Sequence, residues 1–431
     1  MLTRQLSTNL VTIQPMNLKQ ISMLTTNFNH VVRDPLWKDI YLSQPFKNLY
    51  TSPPMQKLHN IKQLGPTYLL YPGAVHTRNN HSLGVFHLSR LIILTLLHEG
   101  ISLKIENINA FLAASLLHDL GHFPYTHALK DVVKQTHEKL GAKIIKNDPY
   151  IKGIIENQLN SSIDSVIEIL DYQIPTFDKE ILFFRSILSG VLDPDKLDYL
   201  NRDAFYCGVP YGMQDAPYII RNFTFTDDLQ FALKAEATTS IQHLLFSKYL
   251  MYKNVYWHPV TRSATAMIKK GVLLALKEGL FKEEDLYDLD DYSFSELFRP
   301  IKGTFSEKLF SSVKQSNLLL QKGTTPVKEE KIYTHQEKEK LEEIIFKEIK
   351  KSFPELQKWE VVLDIPEKVS FEANIPIVYE NGKVEDFNLS DTLFSGNVEK
   401  SFSSSLQKVS LFLPKEVNQN LSHSILTEIF K

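Results

Sequence analysis

The sequence predicts a mainly α-helical protein with a small α+β region at its C-terminal end. Apolar residues recur at helical spacing from Asp34 to about Leu280. Residues 108–120 are apolar on nearly every side, which indicates a helix buried in a core. Beyond about residue 325 the pattern changes to a charged amphipathic helix followed by short strands. These three observations predict a helical core with an appended α+β unit.

Capping residues and helix breakers place the predicted elements in order. Residues 1–30 are a polar lead-in with a short strand at Leu10–Ile13. Asn107 is the expected N-cap of the buried helix, Gly121 weakens that helix and Pro124 ends it. Further helices are predicted from near Thr126, over 194–206 with Asp193 as N-cap and Pro194 at the first helical position, over 238–256 and over 261–280.

The C-terminal third has a different composition. The acidic stretch 283–294 starts or caps a helix, and residues 322–331 have the character of an exposed linker. After these come a Lys/Glu-rich helix at 335–352, strands within 359–365, 371–379 and 383–389, and a hairpin turn at 380–383. The predicted division is a lead-in over 1–30, a helical domain over 31–320 and an α+β appendage over 325–431.

Composition limits the function classes. The chain has 431 residues, with 48 Lys+Arg against 50 Asp+Glu and a net charge of -2. This balance gives no support for a stable nucleic-acid partner or an anionic membrane. The single cysteine, Cys207, fits a reducing cytoplasm. The start lacks the apolar core of a signal peptide, and the apolar runs are shorter than the roughly 20 residues of a membrane span. We therefore expect a cytoplasmic protein without a membrane segment.

Histidines are concentrated in one part of the chain. Eight of the 14 lie between residues 76 and 137. The adjacent pair His118-Asp119 falls near the end of the buried helix, where two such side chains are costly unless something pairs with them. A divalent metal with imidazole and carboxylate ligands is such a partner. His122 lies one helical turn beyond His118 and points towards the same pocket if the helix runs that far.

Spacing alone does not complete the metal site. Asp195 and His81 are candidates for the remaining ligands, but each has competitors nearby. Asp193 is more simply an N-cap, and Asp198 with Arg202 has the i,i+4 spacing of a routine surface ion pair. The competitors that remain open are Asp193, Asp198 and Asp203 for the carboxylate, and His76, His87 and His98 for the imidazole.

The motifs HTRNNHSLGV, LLHDLGHFPYTH, THEKLG and LDPDKLDYLNRD follow one another along the chain, with RDPLWKDIYLS, IKQLG and YWHPVTR around them. This ordered series resembles the HD-domain phosphohydrolases, and most of all their deoxynucleoside triphosphate triphosphohydrolase branch. The resemblance covers roughly residues 30–280. It implies a helical HD-domain core in which one divalent ion, Mn, Mg, Fe, Ni or Zn, is held by His81, His118, Asp119 and Asp195.

The same resemblance implies cleavage of a dNTP to deoxynucleoside and inorganic triphosphate. The triphosphate would be held by positive and hydrogen-bonding groups, namely Arg78, His122, His127, His137, Lys196 and Tyr199. Gln63 would read the sugar edge, and Asp203 and Tyr256 would contact sugar or phosphate. Among the histidines, His122 or His127 would accept a proton from water or attack directly, and His137 would protonate the leaving 5′-oxygen. Related enzymes form dimers and tetramers, so a homo-oligomer is expected.

Two departures from the family pattern keep other functions open. An aromatic-acid pair commonly precedes the ligand histidine, and Asn79-Asn80 stands there instead. An acid often follows the PYTH histidine by three residues, and here that residue is Lys130, with Asp131 beside it. The alternatives are an HD phosphohydrolase acting on a nucleoside monophosphate or signalling nucleotide, and a nucleotide-sensing regulator with a slow site.

Overall fold

The computed structural model describes residues 15–327, 333–371, 373–390 and 396–430. The predicted strand at Leu10–Ile13 lies outside these residues. Helices dominate, as predicted. They are α1 (Pro15–Thr26), α2 (Gln44–Tyr50), α3 (Pro53–Lys57), α4 (Arg78–His98), α5 (Ile105–Leu117), α6 (Thr126–Leu129), α7 (His137–Asn147), α8 (Pro149–Gly153), α9 (Ile163–Leu170), α10 (Lys179–Leu188), α11 (Pro194–Cys207), α12 (Ala216–Arg221), α13 (Thr238–Met251), α14 (Pro259–Lys277), α15 (Asp291–Glu296), α16 (Phe305–Lys314), α17 (His335–Lys350), α18 (Phe387–Ser390), α19 (Gly396–Leu406) and α20 (Gln419–Ile429).

Nine strands form three small sheets within the described part of the chain. The strands β1 and β2 make an antiparallel hairpin, and β5, β9 and β6 make an antiparallel sheet. In the third sheet the order is β3-β4-β7-β8, with β4 parallel to β7. The strands are β1 (His30–Asp34), β2 (Lys38–Leu42), β3 (Phe223–Phe225), β4 (Phe231–Lys234), β5 (Leu320–Pro326), β6 (Val362–Asp364), β7 (Pro376–Val378), β8 (Val384–Asp386) and β9 (Lys408–Leu413).

The capping predictions have mixed outcomes. Asp193 caps α11 as predicted, because its side chain accepts a hydrogen bond from the Lys196 backbone N–H at 2.6 Å. The N-cap prediction for Asn107 is wrong, since α5 begins at Ile105. Asn107 lies in the first turn of α5 and donates through Nδ2 to Glu180 on α10. The Asn107 side chain, which was expected to cap the helix, thus forms a hydrogen bond to a residue far along the chain instead.

The predicted helix over 238–256 changes character before it ends. It is α-helical to Met251 and continues as one π-helical turn over Tyr252–Tyr256. The Trp257 backbone N–H donates to the carbonyl of Tyr252 at 2.8 Å, which closes the wider i→i+5 turn. The chain then begins α14 at Pro259.

Two hairpins and one strand depart from the sequence predictions. The hairpins β1-β2 and β3-β4 interrupt a region expected to be helical. The predicted linker over 322–331 is wrong for its first part, because β5 continues to Pro326 and pairs with β9. Gly323 allows α20 to approach β5, since a Cβ there would lie 3.2 Å from the Cα of His423. The polar composition of β5 therefore conceals an element that is paired and covered.

The core joins the N-terminal and C-terminal parts of the chain. The largest cluster of buried apolar side chains is centred on α4 and α5, and it also contains Phe371, Ile377 and Phe387 from the C-terminal region. A second cluster surrounds α14 and includes Val362 and Phe412. Among the described helices, α4 alone is long and apolar enough to cross a membrane, and 72% of its apolar window is buried. Its surroundings are those of a core helix.

Candidate functional site

Three helices that are distant in the sequence bring their ends together at one place. The first turn of α4 carries Arg78 and His81. Helix α5 ends directly before His118 and Asp119, and the first turn of α11 carries Asp195. Because α4 packs against both α5 and α11, these side chains meet in one space.

The four predicted metal ligands lie close to one another. The donor atoms of His81, His118 and Asp119 are all within 4.8 Å of each other, and the two histidine Nε2 atoms are 3.2 Å apart. Asp195 Oδ1 lies 2.8 Å from His81 Nε2 and 3.8 Å from His118 Nε2. His81, His118 and Asp119 therefore form a group of the size that one coordinated ion fills, and Asp195 lies against its two imidazoles.

Hydrogen bonds fix which ring nitrogen of each histidine faces this space. His118 Nδ1 is 2.9 Å from the carbonyl oxygen of Ser115, which only accepts, so Nδ1 carries the hydrogen. His81 Nδ1 is 2.8 Å from Asp198 Oδ2, again an acceptor. Burial alone would lower the pKa of His81, but hydrogen bonds to Asp195 and Asp198 raise it to about 10, because the two carboxylates favour a positive charge at this position. This donor set fits a divalent metal ion.

Asp198 supports His81 from behind, as carboxylates commonly support metal-binding histidines. It also accepts two hydrogen bonds from Arg202, at 2.8 and 2.9 Å, and one from Trp37 Nε1. The expectation that Asp198 and Arg202 form a surface ion pair is wrong, because both side chains are fully buried. Arg202 continues to Asp34 at 2.8 Å, which joins the β1-β2 hairpin to the site. The i,i+4 spacing is common to exposed and buried pairs, so sequence did not separate them.

Glycine at position 84 is required by the same carboxylate. A Cβ at Gly84 would lie 1.8 Å from Asp198 Oδ1 and 2.6 Å from Arg202 Nη2. Helix α4 can therefore pack against α11 at this depth only with glycine at this turn.

Arg78 lies beside the metal ligands and is buried. Its Nη1 donates to Asp119 Oδ2 at 2.8 Å, while Asp119 Oδ1 lies 3.1 Å from His122 Nε2. Burial alone would raise the pKa of Asp119, but His122, Arg78 and His118 hold it well below its usual range. Asp119 therefore stays ionised between the candidate metal position and a permanent positive charge.

Three histidines form a cluster next to Arg78. The rings of His122 and His137 are stacked with centroids 4.0 Å apart, and the centroid of His127 lies 4.9 Å from that of His122. Burial and the Arg78 charge lower the pKa of His122 well below its usual value. Desolvation and the Arg78 charge lower the pKa of His127 to about 3, although the residue as a whole is solvent-exposed. Both rings are neutral at pH 7.

Gly121 allows α7 to bring His137 to this cluster. A Cβ at Gly121 would lie 2.0 Å from the carbonyl oxygen of His137 and 2.4 Å from the backbone nitrogen of Gly141. The predicted role of Gly121 was to weaken the preceding helix. The structure adds a close backbone approach that only glycine permits.

Two predicted triphosphate contacts occupy different positions. The Lys196 ammonium donates to Asp193 and, at 2.8 Å, to the carbonyl of Gly190. Lys196 is thus paired with the N-cap residue of its own helix, α11. Its side chain has to rotate to reach a substrate bound beside the predicted metal ligands. Tyr199 is half-buried one turn further along α11. Burial, with Tyr252 and Asp195 nearby, raises the pKa of Tyr199 well above its usual value, so its hydroxyl remains a donor.

The predicted sugar contacts form a second polar group. The Tyr256 hydroxyl donates to Asp203 Oδ2 at 2.8 Å, and His76 Nε2 lies 2.7 Å from Asp203 Oδ1. The backbone N–H of Gln63 donates to the carbonyl of His76 at 3.0 Å. The sequence left His76 among the competitors of His81 for the imidazole ligand, since no spacing separates it from His87 or His98.

The residues at the two departures from the family motifs make specific contacts in the structure. Asn80 forms a capping box with Thr77 at the start of α4, and Asn79 Nδ2 donates to the carbonyl of Met55 at 3.1 Å. Both therefore anchor the helix that carries His81. Lys130 pairs with Glu367 of the C-terminal region, and Asp131 pairs with Lys269 on α14. Among the described residues, ring contacts with His122 and His137 are what orient His127.

Comparison with known proteins identifies relatives of this chain. The uncharacterized protein MJ1154 of Methanocaldococcus jannaschii is 34% identical over 282 residues, which are 65% of this chain and 57% of that protein. Human deoxynucleoside triphosphate triphosphohydrolase SAMHD1 is 26% identical over 279 residues, which are 57% of this chain and 44% of that enzyme. The chain thus spans about half the length of these relatives.

Solved structures and family models agree with the fold. A phosphohydrolase of Bacteroides thetaiotaomicron superimposes with a TM-score of 0.70 at 23% identity, covering 90% of this chain and 100% of the other. That likeness concerns the fold alone. An HD domain model matches residues 78–180, and an HD associated region model matches residues 214–431. The first match contains His81, His118 and Asp119, and the second covers half of the chain. The chain therefore belongs to the HD-domain family, as an HD domain followed by its associated region.

Proposed function

We propose that this protein is a metal-dependent phosphohydrolase that converts dNTPs to deoxynucleoside and inorganic triphosphate. The observation that carries the proposal is the convergence of His81 Nε2 and His118 Nε2 with two carboxylates, directly beside Arg78. Imidazole and carboxylate ligands next to a permanent positive charge suit a phosphate ester as substrate. The similarity to an enzyme named for dNTP triphosphohydrolysis supports the choice of substrate.

The metal ligands and Arg78 would act on the reacting phosphate. His81, His118, Asp119 and Asp195 would hold one divalent ion, which when bound supplies Lewis acidity at an α-phosphate oxygen and lowers the pKa of a water. Arg78 would share its guanidinium between Asp119 and the triphosphate. Because phosphoryl transfer depends mainly on fixed charge and in-line geometry, holding Arg78 in place is a direct contribution to rate.

The histidine cluster would move the protons. His122 and His127 are neutral at pH 7, so either can accept a proton from the attacking water or attack directly. His137 would protonate the leaving 5′-oxygen. Burial lowers the pKa of His137 in the free protein. A bound triphosphate would raise it again, because an adjacent anion stabilises the imidazolium.

The remaining predicted contacts would read the nucleoside and the outer phosphates. Asp203 and Tyr256 already share a hydrogen bond, and Gln63 Oε1 is buried without a partner among the described residues. Such groups favour a ligand that supplies hydrogen-bond donors, as a sugar hydroxyl does. Lys196 and Tyr199 would join the triphosphate after the Lys196 ammonium turns away from Asp193. We also propose a cytoplasmic homo-oligomer, a dimer or tetramer.

The direct experiment is incubation of the purified chain with each dNTP and with Mn²⁺, Mg²⁺, Fe²⁺, Ni²⁺ or Zn²⁺. Inorganic triphosphate and deoxynucleoside are the expected products, and bound metal is measured in parallel by elemental analysis. His118→Ala and Asp119→Ala should lose both metal and turnover. His30→Ala, at the half-buried start of β1 away from the site, is the matched control and should keep both.

Other outcomes would redirect the proposal. Hydrolysis of a nucleoside monophosphate or a signalling nucleotide, with dNTPs left intact, would identify a different HD phosphohydrolase. Tight nucleotide binding without turnover under any metal would favour a regulatory protein. Unchanged dNTP hydrolysis by His118→Ala would remove the metal assignment itself.

A further inference from the structure

Asp203 is a buried carboxylate held by two donors from different parts of the chain. His76 Nε2 lies 2.7 Å from Oδ1, and the Tyr256 hydroxyl lies 2.8 Å from Oδ2. An ionised carboxylate only accepts, so His76 Nε2 must carry a hydrogen and donate it. With one donor on each oxygen, the carboxylate cannot rotate about its Cβ–Cγ bond without breaking a hydrogen bond.

His76 is itself held firmly. The residue is 2% exposed, and its ring stacks on Tyr206 with centroids 4.6 Å apart. Its backbone carbonyl accepts the hydrogen bond from Gln63 N–H at 3.0 Å. A ring with fixed faces and a fixed backbone directs its Nε2–H in one direction, and that direction is towards Asp203.

The position of His76 in the chain joins the two ends of the site. It precedes Arg78 by two residues, and the Arg78 backbone N–H donates to the carbonyl of Ile61 at 2.9 Å, next to the bridge between Lys62 and Thr77. Asp203 lies two helical turns from Asp195 on α11. A contact between His76 and Asp203 therefore sets the distance between the start of α4, which carries Arg78, and the far end of the site.

Two buried acceptors near this contact lack donors within the described residues. They are Gln63 Oε1 and His76 Nδ1. A buried acceptor without a partner costs about 1–3 kcal/mol. Gln63 Oε1 and the free lone pairs of Asp203 are acceptors that suit a ligand with hydroxyl donors, whereas His76 Nδ1 lies on a side chain without solvent exposure.

We propose that His76 is a positioning residue that holds Asp203 so that its carboxylate accepts a hydrogen bond from the sugar 3′-hydroxyl. This inference rests on the proposed function. His76 touches Asp203 and not the reacting atoms, so its effect is on which sugar is accepted. Removing its donor should lower the preference for a 3′-hydroxyl while leaving the metal ligands in place.

The test compares a dNTP with the matching 2′,3′-dideoxynucleotide in the full-length protein. The wild type should favour the dNTP by about tenfold or more in kcat/KM, as expected for a site built to accept a hydroxyl donor. His76→Phe keeps a ring on Tyr206 but has no donor. It should reduce the preference to within about threefold, mainly by raising KM for the dNTP. His76→Gln keeps an amide donor and should restore part of the preference.

The controls separate positioning from damage. His87→Phe removes a half-buried histidine on α4, outside the site, and should leave the preference unchanged. Bound metal and the urea midpoint are recorded for each variant. If His76→Phe does not fold, His76→Asn, whose amide is too short to reach Asp203, takes its place. Equal losses for dNTP and dideoxynucleotide in the variant would overturn the proposal, since the sugar preference would then not depend on His76.

Binding distinguishes this proposal from the proposed function. Deoxynucleoside and dideoxynucleoside are titrated against wild type and His76→Phe by calorimetry. If the wild type binds the deoxynucleoside preferentially, His76→Phe loses that preference and no dNTP is hydrolysed, the proposed function is rejected and the role of His76 is kept. A wild type without any preference in either assay would reject the role of His76.

Discussion

Asp198 is the residue on which most of the buried charge at the site depends. It accepts from His81, Arg202 and Trp37. In Asp198→Asn, the side-chain NH₂ group would face N–H donors of these residues, and two donors cannot form a hydrogen bond with each other. We expect metal affinity to fall by about 10–100-fold and the free energy of unfolding to fall by about 3–5 kcal/mol. Metal titration by calorimetry and urea unfolding measure the two effects.

A matched control is available at an exposed ion pair. Asp39 pairs with Arg33 at 2.7 Å on the β1-β2 hairpin, and both are solvent-exposed. Asp39→Asn should change stability by less than about 1 kcal/mol and leave metal binding unchanged. Equal effects of the two substitutions would mean that the burial of Asp198 determines neither the metal affinity nor the free energy of unfolding.

His87 predicts a dependence of stability on pH. Burial and the nearby Arg90 lower the pKa of His87 to about 4 from the usual 6.5. Between these values the unfolded chain binds the proton that the folded chain refuses. The contribution of neutral His87 is therefore complete above about pH 6.5 and is lost as the pH falls towards 4. Urea unfolding at pH 7.5 and pH 5 should show a smaller loss in His87→Phe than in the wild type. The same loss of stability in the variant and in the wild type would exclude His87 as the cause of the pH dependence.

Single residues differ in how well sequence predicts them. His81, His118, Asp119 and Asp195 are predicted from ordered motifs, and the structure brings the first three into one group with Asp195 against the two imidazoles. Asp198 and His76 are not found, because an i,i+4 spacing or an isolated histidine looks the same on a surface and in a core. What distinguishes them is contact with residues more than 100 positions away.

At the scale of elements, apolar helices are predicted better than short strands. Helices α5, α11 and α14 lie within a few residues of their predicted bounds, because their apolar faces and caps are local signals. The hairpins β1-β2 and β3-β4 are three to five residues per strand, too short for a clear alternation. Strand β5 is polar and is stabilised by its partner β9, which lies far along the chain.

The approach of α7 to the end of α5 gives a prediction about an element. Gly121→Ala would place a methyl group 2.0 Å from the His137 carbonyl, so α7 must move and carry His137 with it. A displacement of about 1 Å can lower turnover by about 100-fold. We expect kcat to fall by at least about tenfold, with a smaller loss of metal affinity.

The control for this prediction is a glycine within a helix, Gly153 of α8. A Cβ at Gly153 would meet only Asn157 Nδ2, at 4.0 Å. Gly153→Ala should keep full turnover and raise stability by up to about 1 kcal/mol, the helix preference of alanine over glycine. If Gly121→Ala behaves like Gly153→Ala, the close approach of α7 does not matter for turnover.

At the scale of the whole molecule, the two ends of the chain share cores. Strand β7 pairs with β4, and Phe371, Ile377 and Phe387 are buried in the cluster centred on α4 and α5. Each fully buried apolar side chain contributes about 1.5–3 kcal/mol, so losing several exceeds a total stability of about 5–15 kcal/mol. A chain ending at residue 319 should therefore be insoluble or lack a cooperative unfolding transition.

Far-UV circular dichroism and sedimentation of that truncated chain measure this outcome. The full chain should unfold in a single transition, with the same midpoint by circular dichroism and by tryptophan fluorescence. A soluble truncated chain with the thermal midpoint of the full chain would mean that the C-terminal region folds independently.

The π-helical turn at Tyr252–Tyr256 holds one residue more than an α-helical turn would. Removing a residue of this turn before Tyr256 would restore α-helical hydrogen bonding, but it would change the angular position of Tyr256 around the axis relative to α13. Tyr256 would then leave Asp203. Side chains here can be exchanged individually, whereas the number of residues cannot change. Among natural variants of this chain, we expect substitutions between α13 and α14 to be tolerated and single-residue insertions or deletions to be absent.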